Sequence, residues 1–184
     1  MALVGIEAVL CEVEVDISGR GFAAPTLVGL PDSAVKESLD RIASALVNSG
    51  FVKPRTRTTI NLAPADIKKE GPAFDLPIAI GLLMADDQLR SDHIDDYLIA
   101  GELALDGRVR PIKGALCLAM LARERGFRAL VVPRDNAEEA AVVDSVEVYG
   151  VSSLTEAVGL LCGELPLEPT AVDLEALFRR AAPA

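Results

Sequence analysis

The residues best placed to do chemistry lie between Asn61 and Ala85. A β-branched run at 58–62 indicates a strand, and 63–73 is a loop with two lysines and a Glu-Gly-Pro turn. From Asp75 the chain is almost wholly apolar, which predicts a buried helix at about 75–86 with Asp75 as its N-cap. A loop that delivers a helix N-terminus offers free N–H groups and the positive dipole end to an anion. The same residues also fit an ordinary turn before a core helix.

Other common catalytic motifs are missing from the sequence. It contains no P-loop of the form G-x-x-x-x-G-K-[ST], no G-x-S-x-G, no H-E-x-x-H and no paired-cysteine motif. Cys11, Cys117 and Cys162 lack metal-ligand spacing, and His93 lies in a polar loop. Acidic pairs such as 86–87 and 95–96 are typical of a solvated surface. We therefore expect no cofactor and no metal site in this chain.

The charge distribution gives one candidate binding segment. A net charge of −10 over 184 residues disfavours nucleic-acid binding by the chain as a whole. The segment 53–69, however, contains five basic residues and only one acidic residue. The five basic residues form a candidate DNA contact: Lys53, Arg55, Arg57, Lys68 and Lys69. An intervening strand of about five residues would separate the first three from the last two by roughly 17 Å. The alternative is that these cations are solvated or paired with the surplus of Asp and Glu.

The elements that must position these residues alternate between strands and helices. An apolar stripe with spacings of four, three and four predicts a helix at 33–49, and Gly50-Phe51 is typical of a Schellman ending. Asp106-Gly107 indicates a two-residue hairpin. Further helices are predicted at 113–125 (ending at Gly126-Phe127), 134–141 and 153–162, with strands at 3–17 (slipping near Cys11 or divided in two), 22–30, 97–100, 129–132 and 146–151. With 51% hydrophobic and 4% aromatic residues, the core must be aliphatic.

Five stretches, taken in order, carry a resemblance to a known family. They are Gly29-Leu30-Pro31-Asp32, Asn61-Leu62-Ala63-Pro64-Ala65-Asp66, Lys69-Glu70-Gly71-Pro72, Phe74-Asp75-Leu76-Pro77-Ile78-Ala79 and Gly101-Glu102-Leu103-Ala104-Leu105-Asp106-Gly107. Together they resemble the N-terminal domain of the YifB/ComM proteins, the magnesium-chelatase-like AAA+ ATPases. The resemblance implies an α/β fold (an α+β mixed sheet) similar to the proteolytic domain of Lon protease, with helices packed on the sheet. It implies a Lon-like domain at 1–165 and a linker at 166–184 towards an AAA+ module that is missing here.

The similarity to Lon permits a test of catalysis. In Lon the nucleophilic serine follows a Lys-Asp-Gly-Pro sequence, whereas Lys69-Glu70-Gly71-Pro72 is followed by Ala73. The Lon lysine follows a Pro-Ile-Gly-Gly-Leu motif, and the matching position here is Leu116. Alanine has no nucleophile and leucine no base, so a serine–lysine mechanism cannot run. Lys113 lies three positions earlier, but no serine stands opposite it.

The resemblance also implies a function for the whole protein. We expect a non-catalytic domain that serves ring assembly and substrate handling, with DNA as the substrate, in DNA remodelling or recombination. The expected partners are the protein's own AAA+ module, further copies in a homo-oligomer (a hexamer) and DNA, with no membrane. ATP and Mg are expected cofactors of the full-length protein, and the cytoplasm is its expected location, since no signal-type or membrane-spanning segment is present. The alternatives are a peptidase with relocated catalytic residues and a chelatase-related subunit for metal insertion.

Overall fold

The computed structural model describes residues 2–4, 7–19, 21 and 23–181. Within them the strands are β1 (Ala2–Val4), β2 (Glu7–Val9), β3 (Glu12–Ile17), β4 (Thr26–Val28), β5 (Thr58–Ala63), β6 (Tyr97–Ile99), β7 (Glu102–Leu103), β8 (Val109–Arg110), β9 (Ala129–Pro133) and β10 (Glu147–Val151). The helices are α1 (Ser33–Asn48), α2 (Asp75–Ala85), α3 (Ala115–Arg125), α4 (Ala137–Ala140), α5 (Leu154–Cys162) and α6 (Leu174–Ala181). A 3-10 turn at Pro72–Phe74 runs directly into α2.

Two three-stranded sheets form the framework of the fold. In the first, β5 is the central strand, antiparallel to β3 and parallel to β4. The second is wholly parallel, in the order β10-β9-β6. Two hairpins, β1–β2 and β7–β8, complete the strand pairing among the described residues. The predicted mixed α/β fold is confirmed.

The second sheet lies between two apolar clusters because its central strand is buried on both faces. Leu130 and Val132 of β9 belong to a cluster with α3 and α4, while Ala129 and Val131 join the larger cluster around α1, α2 and α5. Helix α2 has apolar residues on all sides and little exposed surface, as expected of a central helix. It packs against both α1 and β3, so its N-terminus has a fixed position relative to the loop before it.

The helix endings follow the glycine pattern of the sequence. Helix α1 ends before Gly50, whose φ is 86°, and the Phe51 N–H donates to the Leu46 carbonyl at 2.9 Å. Helix α3 ends at Gly126 with φ of 76°, and the Phe127 N–H donates to the Ala122 carbonyl at 2.9 Å. Both geometries are Schellman endings. The predictions for α1, α2, α3 and α5 are confirmed to within two residues at each end.

Several local predictions were wrong. The stretch 3–17 forms three strands instead of one or two: the predicted break near Cys11 is present, but β1 also folds back on β2. Of the strand predicted at 22–30 only β4 forms, and residue 22 lies outside the described residues. The turn between β7 and β8 has three residues, not two, because the Ala104 N–H donates to the Arg108 carbonyl at 2.9 Å. Asp75 is the first residue of α2 and its carboxylate does not cap the helix.

Nothing in the described fold tests the boundary at residue 165, which stays a prediction. The segment predicted as a linker contains α6, and the Thr170 N–H donates to the Val148 carbonyl of β10 at 2.7 Å. Among the helices described, none combines the length and the apolar character needed to cross a membrane.

Candidate functional site: a motif junction and a basic groove

Asp32 ties the start of α1 to the loop that precedes α2. One carboxylate oxygen accepts the Val35 N–H at 2.8 Å and caps α1, while the other accepts the Gly71 N–H at 3.2 Å. The backbone of the same segment pairs with Lys69, whose N–H donates to Leu30 and whose carbonyl accepts from Asp32. Two of the motifs that carry the family resemblance are therefore bonded directly to each other.

The structure buries the side chain of Lys69. None of its surface is exposed, and its ammonium group donates to the Pro64 carbonyl. The backbone bonds of Lys69 to Leu30 and Asp32 hold the loop against the segment that follows β4, and the Lys69 side chain lies inside the fold. The expectation that Lys69 belongs to a DNA-contacting surface does not fit this burial, since an enclosed ammonium cannot reach a phosphate.

Asp75 forms a buried ion pair at the start of α2. Its side chain is fully buried and accepts from Arg41 Nε at 2.8 Å and Arg41 Nη2 at 3.1 Å, and the Leu103 N–H donates to it at 3.0 Å. Arg41 Nη2 also donates to the Ala34 carbonyl and to Ser38 Oγ. The hydrogen bond to Asp75, opposed by burial, raises the pKa of Arg41 above its ordinary value. This pair joins α1, α2 and β7, and we call it, together with the contact between Asp32 and Gly71, the motif junction.

The two positions that correspond to the Lon dyad carry no reactive group. Ala73 lies in the 3-10 turn, and its carbonyl accepts the Gly101 N–H at 3.0 Å. Leu116 is the second residue of α3, with 37% of its surface exposed. Lys113 lies on the exposed surface before the helix begins. Two residues after Ala73, the Asp75 carboxylate forms the ion pair with Arg41 at the start of α2.

A basic groove lies near the start of β5, at the end opposite to the loop that carries Lys68 and Lys69. Lys53 and Arg55 line a groove of about 530 Å³ together with Lys36 of α1, and Asp40 is the acidic residue among its lining. All three cations are exposed, and within the described residues none of them forms an ion pair. Sequence reasoning missed Lys36 because it is distant in sequence and looked like an ordinary polar position on α1. We call this site the basic groove.

The structure does not bring the five predicted cations into one patch. Arg57 is exposed at the start of β5, whereas Lys68 lies beyond its end and pairs with Glu70 at 3.3 Å. Because β4 and β5 run parallel, the bridge between Pro31 and Lys69 lies at the carboxyl end of both strands. The six residues of β5 therefore separate the basic groove from Lys68 by roughly 17–20 Å.

The other titratable residues singled out in the sequence form no site in the part of the chain that the structure describes. His93 has a side chain that is 71% exposed and lies 3.7 Å from Asp96. No group of three or more His, Cys, Asp or Glu side chains in these ranges is placed to hold a metal ion. Among the residues predicted from the sequence, the basic groove is therefore the remaining candidate binding site.

The fold and the dyad positions define a class of protein: a Lon-like mixed α/β domain without a serine–lysine pair. Comparison with known proteins agrees, because the chain is 24% identical over 144 residues to Lon protease 2 of Bacillus subtilis, covering 78% of this chain and 26% of that protein. Residues 13–136, more than half of the chain, match the family described as subunit ChlI of Mg-chelatase. The chain belongs to this ChlI, magnesium-chelatase-like family.

Two relatives place the chain more closely within the family. It is 45% identical over 168 residues to the competence protein ComM of Haemophilus influenzae, covering 90% of this chain and 33% of ComM. It is 42% identical over 167 residues to YifB of Escherichia coli, covering 91% of this chain and 33% of YifB. The chain thus spans about one third of the length of these relatives, and the resemblance to YifB and ComM is confirmed.

Proposed function

We propose that this chain is a non-catalytic Lon-like domain of a ComM/YifB-type AAA+ ATPase, serving ring assembly and DNA handling. The family match and the similarity to ComM and YifB support the first part. The word "competence" in the name of ComM agrees with a DNA-related role. ATP and Mg would act in an ATPase module of the full-length protein, because this chain has no P-loop sequence. We place the assembled protein, a hexamer, in the cytoplasm.

The observation that carries the DNA part of the proposal is the basic groove. Lys36, Lys53 and Arg55 are exposed and lack ion-pair partners among the described residues, although the chain as a whole carries a net charge of −10. Cations without partners on an acidic protein can bind phosphates without first breaking an ion pair. A single copy of this small groove can bind few phosphates, but a ring presents several copies at once, and their weak interactions add up.

Salt-dependent DNA binding tests this proposal. In the assembled full-length protein, replacing Lys53, Arg55 and Arg57 with Ala should weaken DNA affinity and flatten its salt dependence, by about one unit of slope for each phosphate that the variant no longer binds. Lys36→Ala, added to the triple variant, should flatten the slope further. The isolated 184-residue chain should bind DNA weakly or not at all.

The control removes the same charge from elsewhere. Arg90, Lys113 and Arg125 are exposed and do not line the basic groove. Their replacement with Ala should leave the salt slope of the assembled protein unchanged. A slope that stays at the wild-type value in the Lys53, Arg55 and Arg57 variant, with assembly intact, would exclude the groove as the DNA-binding surface.

The non-catalytic part of the proposal predicts no peptidase activity. Ala73 and Leu116 supply neither nucleophile nor base, and the Arg41–Asp75 pair occupies the start of α2. Casein and short fluorogenic peptides should remain intact with the purified chain. Ala73→Ser combined with Leu116→Lys need not create turnover, because the buried Phe74 and Asp75 replace the small residues that follow the serine in Lon. Hydrolysis by the wild-type chain that a serine-directed reagent abolishes would contradict this assignment.

A further inference from the structure

A second groove lies between the two sheets, and it shares no lining residue with the basic groove. It has a volume of about 600 Å³, and residues of α2, including Ile80 and Met84, form its floor. One wall begins just before β3 and includes Val13 and Val15. The other wall is β6 with the turn that precedes it. None of the described residues that line the groove is basic.

Both walls are edge strands. The sheet order β3-β5-β4 leaves one side of β3 without a partner strand, and the order β10-β9-β6 does the same for β6, among the residues described. An edge strand exposes a row of backbone N–H and C=O groups that can pair with another chain. The groove therefore offers a backbone hydrogen-bonding edge beside an apolar floor, which is the arrangement that accepts an added strand.

The rows of side chains on β3 indicate what that strand would carry. Val13, Val15 and Ile17 are half-buried, whereas Glu12, Glu14 and Asp16 are exposed. A strand paired to β3 has side chains that alternate in the same way, since each pair faces the same side of the sheet. Its inward residues would meet the apolar floor, and its outward residues would lie beside an acidic row.

We propose that the groove between β3 and β6 binds an extended polypeptide segment in which apolar and basic residues alternate, by adding it as a strand to β3. Charge complementarity favours this occupant, because Glu12 and Asp95 are exposed at the groove and no described lining residue is positive. A helix would leave the β3 edge unpaired, and an acidic strand would be repelled by the row on β3. This proposal does not depend on DNA binding by the basic groove.

A labelled peptide of alternating valine and lysine tests the proposal on the 184-residue chain. Fluorescence anisotropy should show saturable binding, and hydrogen exchange should slow at amides of β3. Two ligand controls use the wild-type protein. The same peptide with alternate backbone amides methylated, on the edge that would pair with β3, should not bind, because methylation removes the donors. A valine–glutamate peptide should not bind either.

Protein variants test the role of Glu12 and Asp95, the two acidic residues that line the groove. Glu12→Lys with Asp95→Lys should weaken binding of the valine–lysine peptide by about tenfold, because attraction becomes repulsion. Glu164→Lys with Glu168→Lys makes the same charge change at exposed positions outside the groove and should leave affinity unchanged. Absence of saturable binding, equal binding of the methylated peptide, or equal weakening by both double variants would each overturn the proposal.

Discussion

Replacing Arg41 with Met tests the role of the motif junction directly. Asp75 is fully buried, and in the described structure its carboxylate is held by Arg41 and the Leu103 N–H. Methionine keeps most of the length of the arginine side chain but removes both hydrogen bonds from the guanidinium group to the Asp75 carboxylate. The carboxylate would then remain buried with one N–H donor, and a buried charge without a counter-ion is costly.

The expected decrease in stability is large for a single substitution. Breaking one side of a buried ion pair typically costs about 3–5 kcal/mol. Because 22% of the Arg41 side chain is exposed and the Leu103 N–H still donates, we expect the lower end, about 3 kcal/mol. For a chain of this size about 1 kcal/mol corresponds to 2–4 °C, so the melting temperature should fall by about 6–12 °C.

Urea unfolding of three variants measures this decrease. Arg123→Met is the matched control, because Arg123 and Asp144 form a pair at 2.9 Å with side chains that are 49% and 82% exposed. Its effect should stay within about 1 kcal/mol. The double variant Arg41→Met, Asp75→Asn should be more stable than Arg41→Met alone, because the unpaired charge is gone while an amide oxygen still accepts from Leu103. An Arg41→Met variant as stable as the control would refute the reasoning.

Two further predictions concern a helix ending and a tyrosine. Gly126→Ala should lower the free energy of unfolding by about 1 kcal/mol or more, because the φ of Gly126 is 76° and a β-carbon is disfavoured there. Gly126→Asn should cost less, and substitutions at Gly50 should have the same effects. Equal melting temperatures of the wild type and Gly126→Ala would contradict this prediction. Burial and the hydrogen bond to Glu147 raise the pKa of Tyr149 to about 12. The phenol thus ionises at a higher pH in the folded chain than in the unfolded chain. The stability gained from the neutral phenol is therefore fully present below pH about 10 and is lost as the pH rises towards about 12. The phenolate absorbance of the wild type minus that of Tyr149→Phe, followed against pH, should have its midpoint near pH 12. A midpoint near pH 10 would contradict the burial of this phenol.

The helices could be predicted from the sequence because their signals are local. The stripe of α1 and the glycines at 50 and 126 act within a few residues of each other, and the structure has the expected endings. Helix α2 could be predicted because, after Asp75, its eleven-residue segment is apolar on all sides, which fits a central helix better than a strand. In these helices the local sequence and the tertiary packing favour the same secondary structure.

The sequence failed where a distant partner decides the role of a residue. Asp75 has the residue type of an N-cap, but Arg41, thirty-four positions earlier, and the Leu103 N–H take its carboxylate. Lys69 has the residue type of a surface cation, but the backbone pairing of its loop turns it inward. Lys36 has no local signal at all, and only the packing of α1 places it beside the groove.

The motifs that carry the family resemblance serve mainly to fold the chain. Asp32 accepts from the Gly71 N–H, the Lys69 ammonium donates to the Pro64 carbonyl, and Asp75 accepts from the Leu103 N–H, so each of the five motifs is hydrogen-bonded to another. The two positions that match the Lon dyad in sequence, Ala73 and Leu116, carry no reactive side chain. The two proposed binding surfaces, the basic groove and the edge of β3, lie outside the five motifs. Variants in the motifs should therefore change stability first, whereas variants in the grooves should change binding and leave the melting temperature alone.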